Sequence, residues 1–437
     1  MKKSRIYAIG IGCLISLAVP GTAALADTQL PAMEAPGEES SASSEETSAP
    51  AVQETAAPAG AESAGPGEGA ETSGSSTIIR DSQSRTDYSQ IGPGIGLDQD
   101  AGSQNQETAG TEFTAMTVSD PVVKPVEKYS YEQMKTDIEA LKARYGTAHM
   151  TVNTIGTSAD GREIYDIVIG NVNAGKHVLI QGAMHAREYM NPLLMMKQIE
   201  DALAFYDTGS YNGRKLSDLL SQVAVHFVPM SNPDGVVLSQ FGLDAIQSAE
   251  LRERIQNCYA SDTAAGRTSL DFDTYLTRWK ANARGVDLNY NFDALWNNAS
   301  STWLLPSSSG YKGLGPVSEP ESQALVNLIN NGCTWAAVLN YHSMGNVIYW
   351  DIEGNQVKAK SQHLAQLMSA ATGGYQMLYS GGGGGFKDWL QLKDNPVPSI
   401  TVETGKVDCP MPLSEFESVW AQNRAGWALA ADFALLY

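Results

Sequence analysis

His185 and Glu188 stand three residues apart in "GAMHAREYMN", which follows the apolar run "HVLI" after one glutamine. Two other polar residues end apolar runs: His342 closes "AAVLNYH" and Glu403 closes "SITVE". A catalytic zinc takes three protein ligands, nitrogen or oxygen, and keeps a fourth position open for water. His185, Glu188 and His342 would supply two imidazoles and one carboxylate. Two ligands close together on a turn set part of the geometry, and a distant third closes it. Water bound there has its pKa lowered toward neutrality. Glu403 could then take the water's proton and pass it to a leaving amine. The His-x-x-Glu pair alone decides nothing in a chain with six histidines. Its coincidence with two further strand ends is what gives it weight. His149, His177 and His363 lack a partner pattern, and His226 lies mid-strand, where packing is the better reading. No Gly-x-Ser-x-Gly stretch or cysteine–histidine context supports a serine or cysteine hydrolase.

Such residues need elements to bring them together. Apolar runs at "MTVNTIG", "EIYDIVIG", "HVLIQGAMH", "VAVHFVPMSNPDG", "WAAVLNYH" and "SITVETG" alternate with helical patterns. Helices are expected over 191–205, 318–331, 357–372 and 414–433. Strands separated by helices predict an α/β sheet with helices on both faces. Continuous apolar runs predict strands buried on both sides. Ligands in such sheets bind where strands end at their carboxyl edge. The turn "SNPDG" could wall that same edge. Met134, Ile138, Leu141 and Tyr145 recur at helical spacing and read as core packing. One catalytic domain is expected over 123–437.

The N-terminus carries "MKK" and Arg5, then an apolar stretch from about Ile6 to Val19, then Ala24-Leu25-Ala26. This is the pattern of a secretory signal cleaved after Ala26. Export to the cell envelope or the medium follows, without a stable membrane anchor after cleavage, and a monomer is expected. Residues 27–122 are rich in Ser, Ala, Gly, Glu and Pro. They hold too few large apolar groups to offset ordering entropy and are expected to be disordered. Residues 27–112 contain 16 acidic and two basic residues, most of the chain's net charge of −20. That excess excludes nucleic acid as a partner class. Cys258, Cys333 and Cys409 remain after the signal. An odd number in an exported chain allows one disulfide and one free thiol.

Several motifs, in order, resemble the zinc metallocarboxypeptidases of the carboxypeptidase A type: "HAREYMNP", "NPDG", "GVDLNYNF", "YHSMG", "FKDW" and "PSITVETG". The resemblance covers about 125–437. It implies a mixed, mostly parallel sheet of about eight strands between helices. It makes His185, Glu188 and His342 ligands of one zinc and Glu403 the general base. It gives Asp287 the place of a carboxylate that orients the first histidine. The family's carbonyl-polarising arginine falls in "TRWKANARGVD", where Arg284 is favoured slightly over Lys280. Asn289 and Tyr290 occupy the place of an Asn-Arg pair that clamps the substrate's terminal carboxylate. A phenol cannot replace that guanidinium. Tyr379, just before five glycines, is the match for a mobile tyrosine over the substrate. The resemblance implies hydrolysis of peptide bonds at or near C-termini. Tyr290 keeps two alternatives open: a cell-wall stem-peptide hydrolase cutting γ-D-glutamyl–diamino acid bonds, and a peptide-binding relative without turnover.

Overall fold

The computed structural model describes residues 113–437 except 116, 300–302 and 381. The expected signal over 1–26 and most of the expected acidic linker lie outside the described residues. Eleven strands are present in the described residues: β1 (Phe113–Thr114), β2 (Met150–Thr157), β3 (Glu163–Ile169), β4 (Lys176–Gln181), β5 (Ser210–Tyr211), β6 (Arg214–Lys215), β7 (Val223–Val228), β8 (Trp335–His342), β9 (Val347–Asp351), β10 (Gln376–Tyr379) and β11 (Ser399–Glu403). Eight form one sheet in the order β10-β9-β11-β8-β4-β7-β3-β2. β10–β9, β11–β8, β8–β4 and β4–β7 pair parallel. β11–β9, β2–β3 and β3–β7 pair antiparallel. This is the α/β sheet that the apolar runs call for, with the mixed pairing and eight strands that the resemblance implies.

Strand alternation explains how the sheet is buried on both faces. Val178 and Ile180 of β4, Val225 and Phe227 of β7, and Leu339 and Tyr341 of β8 join one apolar cluster. Their neighbours Leu179, Val228 and Val338 join a second cluster on the other face. A period of two along each strand produces that division. The helices Met190–Ala204 and Gly426–Ala434 contribute to the first cluster, and Pro320–Ile329 and Phe386–Leu392 to the second.

Four features differ from expectation. The final helix is two, Phe416–Asn423 and Gly426–Ala434. The break lies where the Gly426 backbone packs too close to the Tyr341 hydroxyl to leave room for a Cβ. Residues 113–122, expected to belong to the linker, carry structure. β1 pairs with β5, Phe113 stacks edge-on against Trp427, and Val122 N–H donates to Glu200 at 2.7 Å. All three described cysteines are free thiols, so there is no disulfide among the described residues. His177 has partners after all: its Nδ1 lies 2.9 Å from His226 Nε2, and His226 in turn bonds Asp166 at 3.0 Å.

Candidate metal centre

The central strands β4 and β8 are neighbours, and β11 lies beside β8. Glu403 and His342 are register partners at the ends of parallel strands. His185 follows β4 by four residues, through Ala183 in a left-handed backbone conformation (φ 51°). A non-glycine residue there stores strain that the surroundings must hold. Part of the hold is Asn232, ahead of the helix Pro233–Phe241. Its Oδ1 accepts from Gly235 N–H at 3.0 Å, capping that helix. Its Nδ2 donates to the carbonyls of Met184 (3.1 Å) and Ala281 (2.9 Å). The "NPDG" turn therefore walls the sheet edge as expected, and pins the residue before His185 to the residue after Lys280.

His185, Glu188 and His342 are all buried, and one ligand atom from each lies within 4.8 Å of the others. His185 Nδ1 is 2.8 Å from Glu188 Oε1 and 3.1 Å from His342 Nδ1. His342 Nδ1 is 3.1 Å from Glu188 Oε2. Two unprotonated ring nitrogens at this distance repel unless a proton or a cation lies between them. Two nitrogens and one carboxylate facing a common point fit a catalytic zinc with an open position. Asp287 sits behind, its Oδ1 3.2 Å from His185 Nε2, so His185 turns Nδ1 inward. Such a partner fixes the tautomer and the ring orientation. Burial disfavours the His185 imidazolium, but Glu188 and Asp287 outweigh it and raise its pKa to about 9. For Asp287, burial is likewise overcome, chiefly by His185, and its pKa falls to about 2. Burial lowers His342.

Glu403 is partly buried beside this group. Burial, then the Glu188 charge, pushes its carboxyl well above the usual range, while His185, Lys280 and Arg187 oppose the rise. Lys280, not Arg284, is the cation of its segment that acts on the centre. Its charge bears on His185, Asp287, His342 and Glu403. Its carbonyl accepts from Ala186 N–H at 3.0 Å. Arg284 turns away, with a side chain 41% exposed and 3.7 Å from Glu319. That corrects the preference for Arg284.

Tyr379 is not placed as a cap over the centre either. β9 runs antiparallel to β11, with Val347 opposite Glu403. β10 runs parallel to β9, with Gln376 opposite Val347 and Tyr379 opposite Asp351. Tyr379 therefore ends the edge strand on the side away from Glu403, and is 53% exposed. Of the glycines that follow, Gly384 is held by backbone hydrogen bonds. Gly384 N–H donates to Ala294 O at 2.6 Å, and Phe292 N–H donates to Gly384 O at 2.9 Å. A Cβ on Gly384 (φ +85°) would lie 2.8 Å from Tyr290 O. Glycine permits this close backbone approach, which fixes the Asn289-Tyr290 segment. Asn289 N–H also reaches Asp287 Oδ1 at 3.3 Å, so the segment is tied to the centre.

Two charged features escaped the sequence reading. Arg187, between the two ligands in "HAREY", acts electrostatically on Glu403, Cys409 and Asp408, and its Nε is buried without a hydrogen-bond partner among the described residues. Lys387 and Asp388, in "FKDW", are buried and paired with each other. Burial raises Asp388 above the ordinary carboxylate range against the pull of Lys387. A Cβ on Gly385 would lie 2.9 Å from Asp388 Oδ2 and 3.3 Å from Asn289 Oδ1, so those two oxygens flank the same glycine. Both features lay inside quoted motifs, where the neighbouring residues drew the attention.

Residues 134–426 match the family profile Peptidase_M14, zinc carboxypeptidase. Gamma-D-glutamyl-L-diamino acid endopeptidase 1 of Lysinibacillus sphaericus is 32% identical over 300 residues, covering 68% of this chain and 70% of that protein. Carboxypeptidase B of Rattus norvegicus is 28% identical over 203 residues, covering 46% of this chain and 42% of the rat protein. The crystal structure of carboxypeptidase A from Helicoverpa armigera has a similar fold, with a TM-score of 0.51 at 22% identity, over 70% of this chain and 73% of that one.

Proposed function

This chain belongs to the zinc carboxypeptidase family and is a metallopeptidase, and from that premise we propose that it hydrolyses the amide bond between a γ-D-glutamyl residue and a diamino acid in stem peptides of the cell wall. The observation that carries the chemistry is the convergence of His185, Glu188 and His342 with Glu403 beside them. Zinc held by those three would polarise the scissile carbonyl and lower the pKa of water. Glu403 takes a proton from the attacking water as the new C–O bond forms, then delivers it to the nitrogen as the C–N bond breaks. Lys280 supplies positive charge where the carbonyl oxygen becomes negative. Asp287 holds the His185 ring.

Two observations support the substrate. The Lysinibacillus relative is named for a γ-D-glutamyl–diamino acid endopeptidase activity. In this chain Tyr290 stands where a guanidinium clamp is expected, while Asp388, paired with Lys387, flanks Gly385 together with Asn289. A cation and an anion side by side suit the amino-carboxylate end of a diamino acid better than a single terminal carboxylate. The second reading, ordinary carboxypeptidase action on peptides with free C-termini, is favoured by Arg187, whose partly exposed guanidinium lies by the centre. The N-terminal pattern of a secretory signal supports export from the cytoplasm as part of this proposal.

Zinc-loaded protein should be incubated with γ-D-glutamyl–diamino acid stem peptides and with matched ordinary peptides, free and amidated at the C-terminus, and the products identified by mass. Release of the diamino acid portion from stem peptides is expected. Cleavage of free-acid peptides alone would transfer the assignment to the second reading.

A further inference from the structure

Behind the metal centre three buried side chains close a hydrogen-bonded ring. Asn191 Nδ2 donates to Ser343 Oγ at 3.4 Å. Ser343 Oγ and Thr404 Oγ1 are 2.9 Å apart. Thr404 Oγ1 donates to Asn191 Oδ1 at 3.1 Å. With the Ser343 hydroxyl donating to Thr404, the ring runs in one sense, and the Thr404 hydroxyl proton is shared between Asn191 Oδ1 and the His342 carbonyl, 3.2 Å away. Asn191 and Thr404 are 0% exposed and Ser343 is 7% exposed. The three come from different segments, and each adjoins a residue of the centre. Asn191 lies one turn after Glu188, its N–H donating to the Glu188 carbonyl at 3.2 Å. Ser343 follows His342, and its own N–H donates to Glu188 Oε2 at 3.2 Å. Thr404 follows Glu403, and its N–H donates to the His342 carbonyl at 2.8 Å.

We propose that this Asn191–Ser343–Thr404 ring is a positioning clamp that sets the Glu188 ligand and the Glu403 base at a fixed separation. The proposal rests on the functional reading above. The ring adds side-chain ties between three segments that are otherwise joined by backbone N–H groups, as from Ser343 to Glu188 and from Thr404 to His342. Closed rings of this kind polarise one another and are high-stakes when buried. Removing the Thr404 hydroxyl leaves the Ser343 hydroxyl without an acceptor and Asn191 Oδ1 without a donor, and buried groups so stranded are costly. The local remedy is movement of one segment, which displaces either the Glu188 carboxylate or Glu403.

The test uses the full chain reconstituted with zinc and, in parallel, with cobalt, whose d–d absorption reports ligand geometry. Thr404→Val should lower kcat on the stem peptide by about 10–100-fold, the range found when partners of metal ligands are removed. KM should stay within about twofold while the cobalt spectrum changes. Thr404→Ser, which keeps the hydroxyl, should restore the wild-type kcat and spectrum. Ser343→Ala keeps the backbone N–H on Glu188 and carries the same expectation if the valine variant does not fold. Combined with Thr404→Val, Ser343→Ala should cost little beyond the worse single change, since both break one ring. Wild-type kcat and cobalt spectra in Thr404→Val and Ser343→Ala, or losses that simply multiply, would overturn the clamp and leave the functional reading standing. A wild-type protein that takes up no cobalt would overturn both.

Discussion

At the scale of single residues, the proton on His185 is the sharpest consequence of the geometry. Burial works against its imidazolium, yet Glu188 and Asp287 raise its pKa to about 9 in the metal-free protein. At pH 7 the ring is therefore protonated and must lose that proton before Nδ1 can bind a cation. Zinc affinity should rise with pH up to about 9 and level off above it. Calorimetry in buffers of different ionisation enthalpy should find about one proton released per zinc near pH 7. Affinity that does not change between pH 6 and 9 would contradict the assigned partners. The residues of the centre were legible because each ends, or closely follows, an apolar strand. The cation was not. Lys280 and Arg284 are four apart in one loop, and spacing cannot say which turns inward. Contacts from distant residues decide it: Lys280 N–H bonds Ser308 O at 2.9 Å, Ala186 N–H bonds Lys280 O, and Glu319 draws Arg284 outward.

At the scale of elements, the strands buried on both faces were readable, whereas β9 and β10 at the far side of the sheet were not. β9 and β10 are five and four residues long, and the runs "VIYWD" and "QMLY" carry little periodicity. Missing them hid the place of Tyr379, because only the β10–β9–β11 register puts it at the end of the edge strand away from Glu403. The glycine run was ambiguous for a related reason. Many glycines look like flexibility in a sequence, but here Gly383, Gly384 and Gly385 are buried. Gly384→Ala should place a Cβ against the Tyr290 backbone at a positive φ. A loss of about 1–3 kcal/mol in unfolding free energy is expected from the strained conformation alone. Substrate binding should weaken as well, since the Asn289-Tyr290 segment must shift. Chemical denaturation and KM measure the two. Unchanged stability and KM would mean that the run has the slack its composition suggests.

At the scale of the whole molecule, one sheet edge does the assembling. β4, β8 and β11 are neighbours or next neighbours, so residues 185, 342 and 403 meet without any long loop having to fold back. The core that covers the strands on both faces is apolar and contains none of the proposed ligands. Metal loss should therefore abolish hydrolysis and leave the fold intact. The ring of Asn191, Ser343 and Thr404 belongs to this scale too, since it ties together segments more than 200 residues apart in the chain. No pattern in the sequence pairs those three. Among the described residues no helix is long and apolar enough to cross a membrane.

The most direct measurement is zinc content and hydrolysis of the stem peptide, side by side, for the wild type and Glu403→Gln. One zinc per chain in both proteins is expected, with kcat in the variant reduced by about a hundredfold or more. Zinc that binds at another stoichiometry, or a glutamine variant that cleaves at the wild-type rate, would contradict the account.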